Sequence, residues 1–263
     1  MKKLLDDKVA IITGAGSGIG RASALQFSLD GAKVVVVDIH TTAVQETAQL
    51  IEKQGGIALA MTIDVTSLEA VSKMVEDTVT HFGKIDAIFN NAGGPITKPI
   101  GEVTAEEFQK LINLNLASVF YGIKAVLPYF LKQGCGVVLS TSSGAGLDGS
   151  PGQGVYGAAK AGIIALTQTL AAEYGTYGIR ANVISPGPIR STMFDEWLNS
   201  FPIETKENLI AQVPSARFGV PEDIAKMAAV LISDRASYVN GITIPIDGGI
   251  HTRSSFHFPK PTI

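Results

Sequence analysis

One cysteine in 263 residues, Cys135, rules out an internal disulfide, so the chain is not a cystine-stapled secreted scaffold. It sits between Gly134 and Gly136 at the head of an apolar run and reads as a small buried or edge residue. Charge of one sign is scarce too. The 21 Lys and Arg against 24 Asp and Glu give a net charge of −3, which is no electrostatic footprint for nucleic acid or an anionic membrane. No uninterrupted apolar run is as long as a membrane span. At the start, Lys2 and Lys3 lead through Leu4 and Leu5 straight into Asp6 and Asp7, without the apolar core of a signal peptide. The four histidines, His40, His81, His251 and His257, have no metal-ligand spacing with cysteine or carboxylates, so no metal is expected. What remains is a cytoplasmic globular chain, 46% hydrophobic and long enough to bury a large core.

Short β-branched runs alternate with longer amphipathic stretches. Strands are expected at 9–13, 33–37, 57–63, 85–89, 137–141, 181–185 and 242–246. Helices are expected at 18–30, 41–54, 67–82, 104–132, 156–176 and 221–233. The strand runs are nearly continuous in apolar residues, as in strands covered on both faces. Gly31 and Gly83 stand just past helix ends. Thr104 with Glu107 has the capping-box pattern, and Pro221 before Glu222 and Asp223 suits a first helical turn. Such alternation builds an α/β fold: a doubly wound parallel sheet of seven strands with helices on both faces, as a single domain over 1–263. The segment at about 187–219 breaks the alternation, and an insertion at the carboxyl edge of a parallel sheet is where a substrate lid sits. Its Phe194, Trp197 and Phe201 either roof an apolar pocket or anchor the insertion to the core. Leu147, Gln153, Gly187 and Met193 are the other candidates for pocket walls. The tail at 250–263 carries no pattern.

The string Thr13-Gly14-Ala15-Gly16-Ser17-Gly18-Ile19-Gly20 follows the first strand and opens the first helix. Glycines there let the chain turn sharply and let a pyrophosphate approach without a Cβ in the way. The helix then points free N–H groups and its positive dipole end at the phosphates. Eighteen residues after Gly20 the second strand ends in Asp38, whose carboxylate can accept hydrogen bonds from ribose hydroxyls.

In Tyr156-Gly157-Ala158-Ala159-Lys160 the tyrosine and lysine stand four apart, neighbours on one helix face with only small residues between them. A phenol with an unperturbed pKa of about 10 is a poor base at neutral pH. An adjacent ammonium favours the phenolate and lowers that value, which would fit Tyr156 for proton exchange with an alcohol or carbonyl.

On these motifs the chain resembles the short-chain dehydrogenase/reductase family, of the single-domain type near 250 residues, from about Lys8 to Gly249. The glycine string matches its cofactor loop, Asp64-Val65 its adenine-contacting dipeptide, and Asn90-Asn91-Ala92-Gly93 the segment closing its fourth strand. Asn115 matches the catalytic asparagine, and Ser143, thirteen residues before Tyr156, the catalytic serine. Pro186-Gly187 follows the sixth strand and Asp247-Gly248-Gly249 the seventh. The resemblance implies a Rossmann-like fold with Tyr156 as general acid/base and Ser143 bonding the substrate oxygen. It implies that Lys160 lowers the tyrosine pKa and holds the nicotinamide ribose, and that Asn115 binds a water leading to a proton relay. Asn91, Ile189 and Ser191 would contact the nicotinamide side; Ser191 stands where the family often has threonine, and Thr192 is next to it. The resemblance further implies a homotetramer paired through the helices at 104–132 and 156–176.

Asp38 would repel the 2′-phosphate of NADP, by roughly 4 kcal/mol for unit charges 4 Å apart at an effective dielectric near 20. The positions where NADP-preferring relatives carry a basic residue are Ser17 and Ile39, both uncharged. The expected cofactor is NAD, and the expected activity is interconversion of a secondary alcohol and a ketone, with a small-molecule substrate and neither nucleic acid nor membrane as partner. Two alternatives stay open: an NADPH-dependent ketone reductase such as a 3-oxoacyl-acyl-carrier-protein reductase, and a catalytically silent dinucleotide sensor or scaffold.

Overall fold

The structure is a computed structural model that describes residues 3–252, apart from the side chains of Thr192, Met193 and Trp197. Its strands are β1 (Val9–Thr13), β2 (Lys33–Asp38), β3 (Ile57–Thr62), β4 (Ala87–Asn90), β5 (Gly136–Thr141), β6 (Ile179–Pro186) and β7 (Thr243–Ile246). They form one sheet in the order β3-β2-β1-β4-β5-β6-β7, with every pairing parallel. The chain winds outward from β1 to β3, then returns to lay β4 beside β1. That reversal opens a crevice at the carboxyl ends of β1 and β4, where doubly wound sheets bind ligands.

Helices α1 (Gly18–Leu29), α2 (Thr41–Lys53), α3 (Leu68–Phe82), α4 (Ala105–Ile112), α5 (Ser118–Gln133), α6 (Gly154–Tyr174) and α9 (Pro221–Ile232) cover the sheet. Alternate strand residues face opposite layers. On one face Ile12, Val36 and Phe89 pack with Ala24 and Phe27 of α1 and Ile224 and Ala228 of α9. On the other, Ile11, Val35, Ile88 and Val138 pack with Met74 of α3, Val126 and Phe130 of α5 and Ile163 of α6. The expectation of strands covered on both faces holds for β1, β2, β4, β5 and β6 but fails at the edges. There β3 and β7 are only partly buried, because each lacks a neighbour on one side.

The boundary signals act as their chemistry requires. Glu107 N–H donates to Thr104 Oγ1 at 3.2 Å, and Thr104 N–H donates to Glu107 Oε2 at 2.9 Å. Gly83 ends α3 in the left-handed region at φ 78°. Pro221 opens α9, and Asp223 accepts from Val220 N–H at 2.9 Å.

Two expectations need correction within this frame. The helix at 104–132 is interrupted by a π turn, Asn113–Ala117. Taken as one 29-residue stretch, Ala105–Gln133 is also long and apolar enough to cross a membrane by length and composition alone. Its buried residues, Val119, Ile123, Val126 and Phe130, instead pack in the core against the sheet and α3. Cys135 is exposed rather than buried, since it sits in the turn between α5 and β5, one residue ahead of the strand.

The insertion at 187–219 has regular structure of its own. It carries two short helices, α7 (Thr192–Asn199) and α8 (Ile203–Ala211). Its ends are fastened together: Gly219 N–H donates to the Pro188 carbonyl at 3.0 Å and Arg190 N–H to the Gly219 carbonyl at 2.8 Å. Phe194 meets Phe218 edge to face at 5.1 Å, which makes it an anchor of the insertion.

Candidate active site

The crevice begins at the glycine loop. Gly14 and Gly18 have φ of +66° and +50°, the left-handed region that favours glycine. A Cβ on Gly20 would stand 2.0 Å from the Gly14 carbonyl oxygen. The loop therefore folds back on the first turn of α1 at a distance only glycine permits. Ser17 precedes α1 without capping it through its side chain, so the first-turn N–H groups of Gly18, Ile19 and Gly20 are available to an anion. A dinucleotide pyrophosphate fits this cradle.

Asp38 ends β2 beside the loop. Its carboxylate accepts Gly16 N–H at 3.1 Å and His40 N–H at 3.1 Å, which fixes the charge at the crevice wall. Further along the edge, Thr66 donates to Asp64 Oδ1 from its hydroxyl at 2.7 Å and from its N–H at 2.9 Å. Those bonds hold the Asp64 carboxyl below its ordinary pKa, and Val65 beside it is buried.

Thr13 did not stand out in the sequence as more than the first letter of the loop. Its Oγ1 accepts the N–H groups of Asn91 and Ala92 at 3.0 and 3.1 Å, while Asn91 Nδ2 donates to the Thr13 carbonyl at 3.1 Å. The ends of β1 and β4 are thereby tied together under the crevice. Asn115 does the same for the next stretch. Its Oδ1 accepts Gly94 N–H at 3.0 Å, and its Nδ2 donates to the carbonyls of Gly94 at 3.0 Å and Leu111 at 3.1 Å. The π turn is the local distortion that presents this fully buried side chain. A Cβ on Gly93 would stand 2.6 Å from Asn115 Oδ1 and 3.2 Å from Lys160 Nζ, so the loop passes directly over both.

Lys160 is buried, and its ammonium donates to the Thr141 carbonyl at 2.9 Å. Burial lowers its pKa from 10.5 to about 8. Its Nζ lies 5.5 Å from the centre of the Tyr156 ring, so helical spacing does bring the two side chains together. The expected direction of the tyrosine pKa is overturned, however. Burial pushes the Tyr156 phenol up, and only a hydrogen bond with Ser143 pulls the other way. The ammonium is turned to the Thr141 carbonyl, where it gains a full hydrogen bond. Ser143 is itself fixed by Ala145 N–H, which donates to its Oγ at 3.2 Å.

Around this centre, Pro186 ends β6 and Gly187 packs against Asp247, where a Cβ would stand 2.5 Å from Asp247 Cβ. Ile189 bridges to Gly219 where the insertion leaves and rejoins the fold. Ser191 Oγ accepts Phe194 N–H at 3.1 Å and so caps the start of α7. Leu147 is partly exposed in the turn after Ser143, and the Gln153 carbonyl accepts Gly157 N–H at the head of α6. The side chains of Met193 and Trp197, expected as pocket walls, lie outside the described residues, as do His257 and the tail beyond Thr252. An open cleft between α7 and the start of α9 is lined by Arg190, Ser191, Asp195, Glu196 and Glu222 and includes none of Ser143, Tyr156 or Lys160.

A family model described as enoyl-(acyl carrier protein) reductase matches residues 14–251. Levodione reductase of Leifsonia aquatica is 40% identical over 250 residues, covering 92% of this chain and 94% of its own length. The 3-oxoacyl-(acyl-carrier-protein) reductase of Thermotoga maritima is 37% identical over 246 residues, covering 94% of this chain and 98% of its own. Among solved structures, 7 alpha-hydroxysteroid dehydrogenase complexed with NADH and 7-oxo glycochenodeoxycholic acid superposes with a TM-score of 0.88 at 35% identity, covering 93% of this chain and 94% of the other. With the glycine cradle, the Ser143–Tyr156 contact and the buried Lys160 all inside the matched span, the chain belongs to the short-chain dehydrogenase/reductase family.

Proposed function

We propose that this chain is an NAD-dependent oxidoreductase that interconverts a secondary alcohol and a ketone, with Tyr156 as general acid and base. The nearness of the Ser143 hydroxyl to the Tyr156 phenol, which works against the rise that burial causes, carries the reading, because it brings two hydroxyls together beside the dinucleotide crevice and next to the buried Lys160. Burial keeps the phenol protonated at neutral pH, as an acid that hands its proton to a carbonyl oxygen requires. Ser143, its Oγ held by Ala145 N–H, would turn its hydroxyl proton from the phenol to the same carbonyl oxygen as negative charge develops there. Lys160 supplies positive charge on the phenol side and a donor for the nicotinamide ribose, and Asn115 holds the Gly93-Gly94 loop and a water leading to a proton relay. The bound dinucleotide supplies the hydride donor or acceptor and, when oxidised, a positive charge beside the phenol.

In this reading Gly14, Ser17, Gly18, Ile19 and Gly20 cradle the pyrophosphate. Asp38 binds the adenosine ribose, and Asp64 and Val65 the adenine. Asn91, Ala92, Gly93, Pro186, Gly187, Ile189 and Ser191 line the nicotinamide side, while Leu147 and Gln153 wall the substrate pocket. NAD is favoured over NADP because the Asp38 carboxylate is held at the crevice wall by two backbone N–H groups. The relative named as a 3-oxoacyl-(acyl-carrier-protein) reductase supports a second reading, an NADPH-dependent ketone reductase, and Asp38 opposes it. The silent sensor is disfavoured by the retention of Asn115, Ser143, Tyr156 and Lys160 in one site.

The reading extends to a single-domain, cytoplasmic enzyme with neither nucleic acid nor membrane as partner. A homotetramer is supported by Phe108, Phe120 and Leu131, large apolar side chains exposed along α4 and α5. The test is NADH formation, followed by absorbance, across a panel of secondary alcohols with NAD and NADP in parallel. Turnover with NAD on one chemical class supports the proposal. Silence on the panel with tight NAD binding would move the reading to the sensor.

A further inference from the structure

We infer that Ser142 is a positioning residue for Lys160, acting through the backbone of α6 without touching substrate. The inference rests on the role of Lys160 proposed above. Ser142 follows β5 directly, is 1% exposed, and is tied to β6 by its N–H, which donates to the Ile184 carbonyl at 2.8 Å. Its Oγ donates to the Lys160 carbonyl at 2.8 Å. The Lys160 ammonium in turn donates to the carbonyl of Thr141 at 2.9 Å. Two consecutive residues at the end of β5 therefore grip Lys160 at both ends, one by its backbone and one by its charge.

The contact is crowded. A Cβ on Gly146 would stand 2.7 Å from Ser142 Oγ and 2.8 Å from the Lys160 carbonyl carbon. The turn that carries Ser143, the helix that carries Tyr156 and the strand end all meet at one hydroxyl. The distance between Ser143 and the Tyr156–Lys160 face is set there.

Burial alone does not demand this bond. Ser140, two residues earlier on the same strand, is fully buried and its Oγ has no hydrogen-bond partner. The sheet tolerates an unpartnered serine at that depth, so the Ser142 contact is a specific one. Without it, the Lys160 carbonyl is released from the strand end and the ammonium drifts from the Thr141 carbonyl. A buried ammonium that loses an acceptor gives up its proton at lower pH.

The test compares Ser142→Ala, Ser140→Ala and Lys160→Met with the full chain, measuring kcat from neutral to alkaline pH, KM for NAD, and thermal unfolding. Ser142→Ala is expected to lower kcat by about tenfold and to move the alkaline limb of the profile down by about half a pH unit, with KM for NAD within about twofold of the parent. Ser140→Ala should match the parent in both. If Ser142→Ala fails to fold, Ser142→Cys, similar in shape but a weak donor, replaces it with the same expectations. A parental kcat and pH profile in the Ser142 variant overturns the inference, and so does an equal loss in Ser140→Ala. Parental turnover in Lys160→Met would sink the role of Lys160 itself, and this inference with it.

Discussion

Lys160 Nζ donates to the carbonyl oxygen of Thr141 at 2.9 Å, in surroundings that leave 2% of the lysine exposed. Burial drags the pKa of that ammonium from 10.5 to about 8. An unfolded chain keeps that proton up to the ordinary value. Between the two values the unfolded state binds more protons, so stability rises with pH across that window. Below the lower value the penalty of burying the charge is fully present.

Lys160→Met removes that penalty and forfeits the hydrogen bond to Thr141. The shift converts to about 3 kcal/mol, and an unpaired carbonyl takes back about 1–2 kcal/mol. The variant should therefore unfold at a higher temperature than the parent near neutral pH while losing turnover. Its advantage should fade as pH rises through 8 toward 10. Calorimetry at the two ends of that window checks this; a gap in Tm that does not change with pH would contradict the cause assigned to the shift.

Tyr156→Phe removes one hydroxyl and keeps the ring that packs beside Lys160. Turnover should fall by about 10³-fold or more, while NAD binding, followed by fluorescence, should change by less than about threefold. Near-parental turnover would mean that another group moves the proton.

Much of this site was legible in the sequence because its signals are local. The glycine string needs only strand, turn and helix in order, and i, i+4 spacing alone puts Tyr156 and Lys160 on one face. Most strand boundaries agree to within two residues, since apolar runs are set by burial on both faces. What escaped was non-local or energetically close. The π turn at Asn113–Ala117 differs from α-helix by one inserted residue and leaves no mark in composition. The insertion's helices α7 and α8 are short, at 8 and 9 residues, and no residue of α8 is buried, so no apolar stripe marks α8 in the sequence. The hydroxyls of Thr13 and Ser142 owe their importance to partners on other strands and helices, 78 and 18 residues away, which no window of sequence displays. The rise in the Tyr156 pKa was missed because spacing reports proximity to a charge and not the depth of burial.

Asp38→Ala tests the cofactor choice. The carboxylate is held by Gly16 and His40 N–H groups, so its charge is fixed beside the glycine loop, where the proposed reading puts the adenosine ribose. Losing it should weaken NAD binding through the missing acceptor and relieve repulsion toward NADP. The ratio of kcat/KM for NAD over NADP should shrink by about 10- to 100-fold, corresponding to about 1.4–2.8 kcal/mol of discrimination. An unchanged ratio would reject the electrostatic account.

Gly20→Ala tests the cradle itself. The added Cβ would stand 2.0 Å from the Gly14 carbonyl oxygen, 2.6 Å from its carbon and 2.8 Å from Asn91 Nδ2. Two of those atoms are backbone, so no rotamer change relieves the clash. Gly14 is already at φ +66° and cannot retreat without moving the loop. The structure should respond by opening the glycine turn, at a stability loss of about 1–3 kcal/mol, and the N–H groups of α1 should lose their alignment on the phosphates. NAD affinity should drop by about 10-fold or more. Gly18→Ala is the informative contrast. A Cβ there meets nothing within 4 Å, but the residue sits at φ +50°, so it should carry only left-handed strain of about 1 kcal/mol with a smaller effect on affinity. Titration of both variants with NAD, alongside thermal unfolding, separates close packing from backbone strain: equal losses in the two would mean that conformation, and not the approach of Gly14 to Gly20, is what the cradle requires.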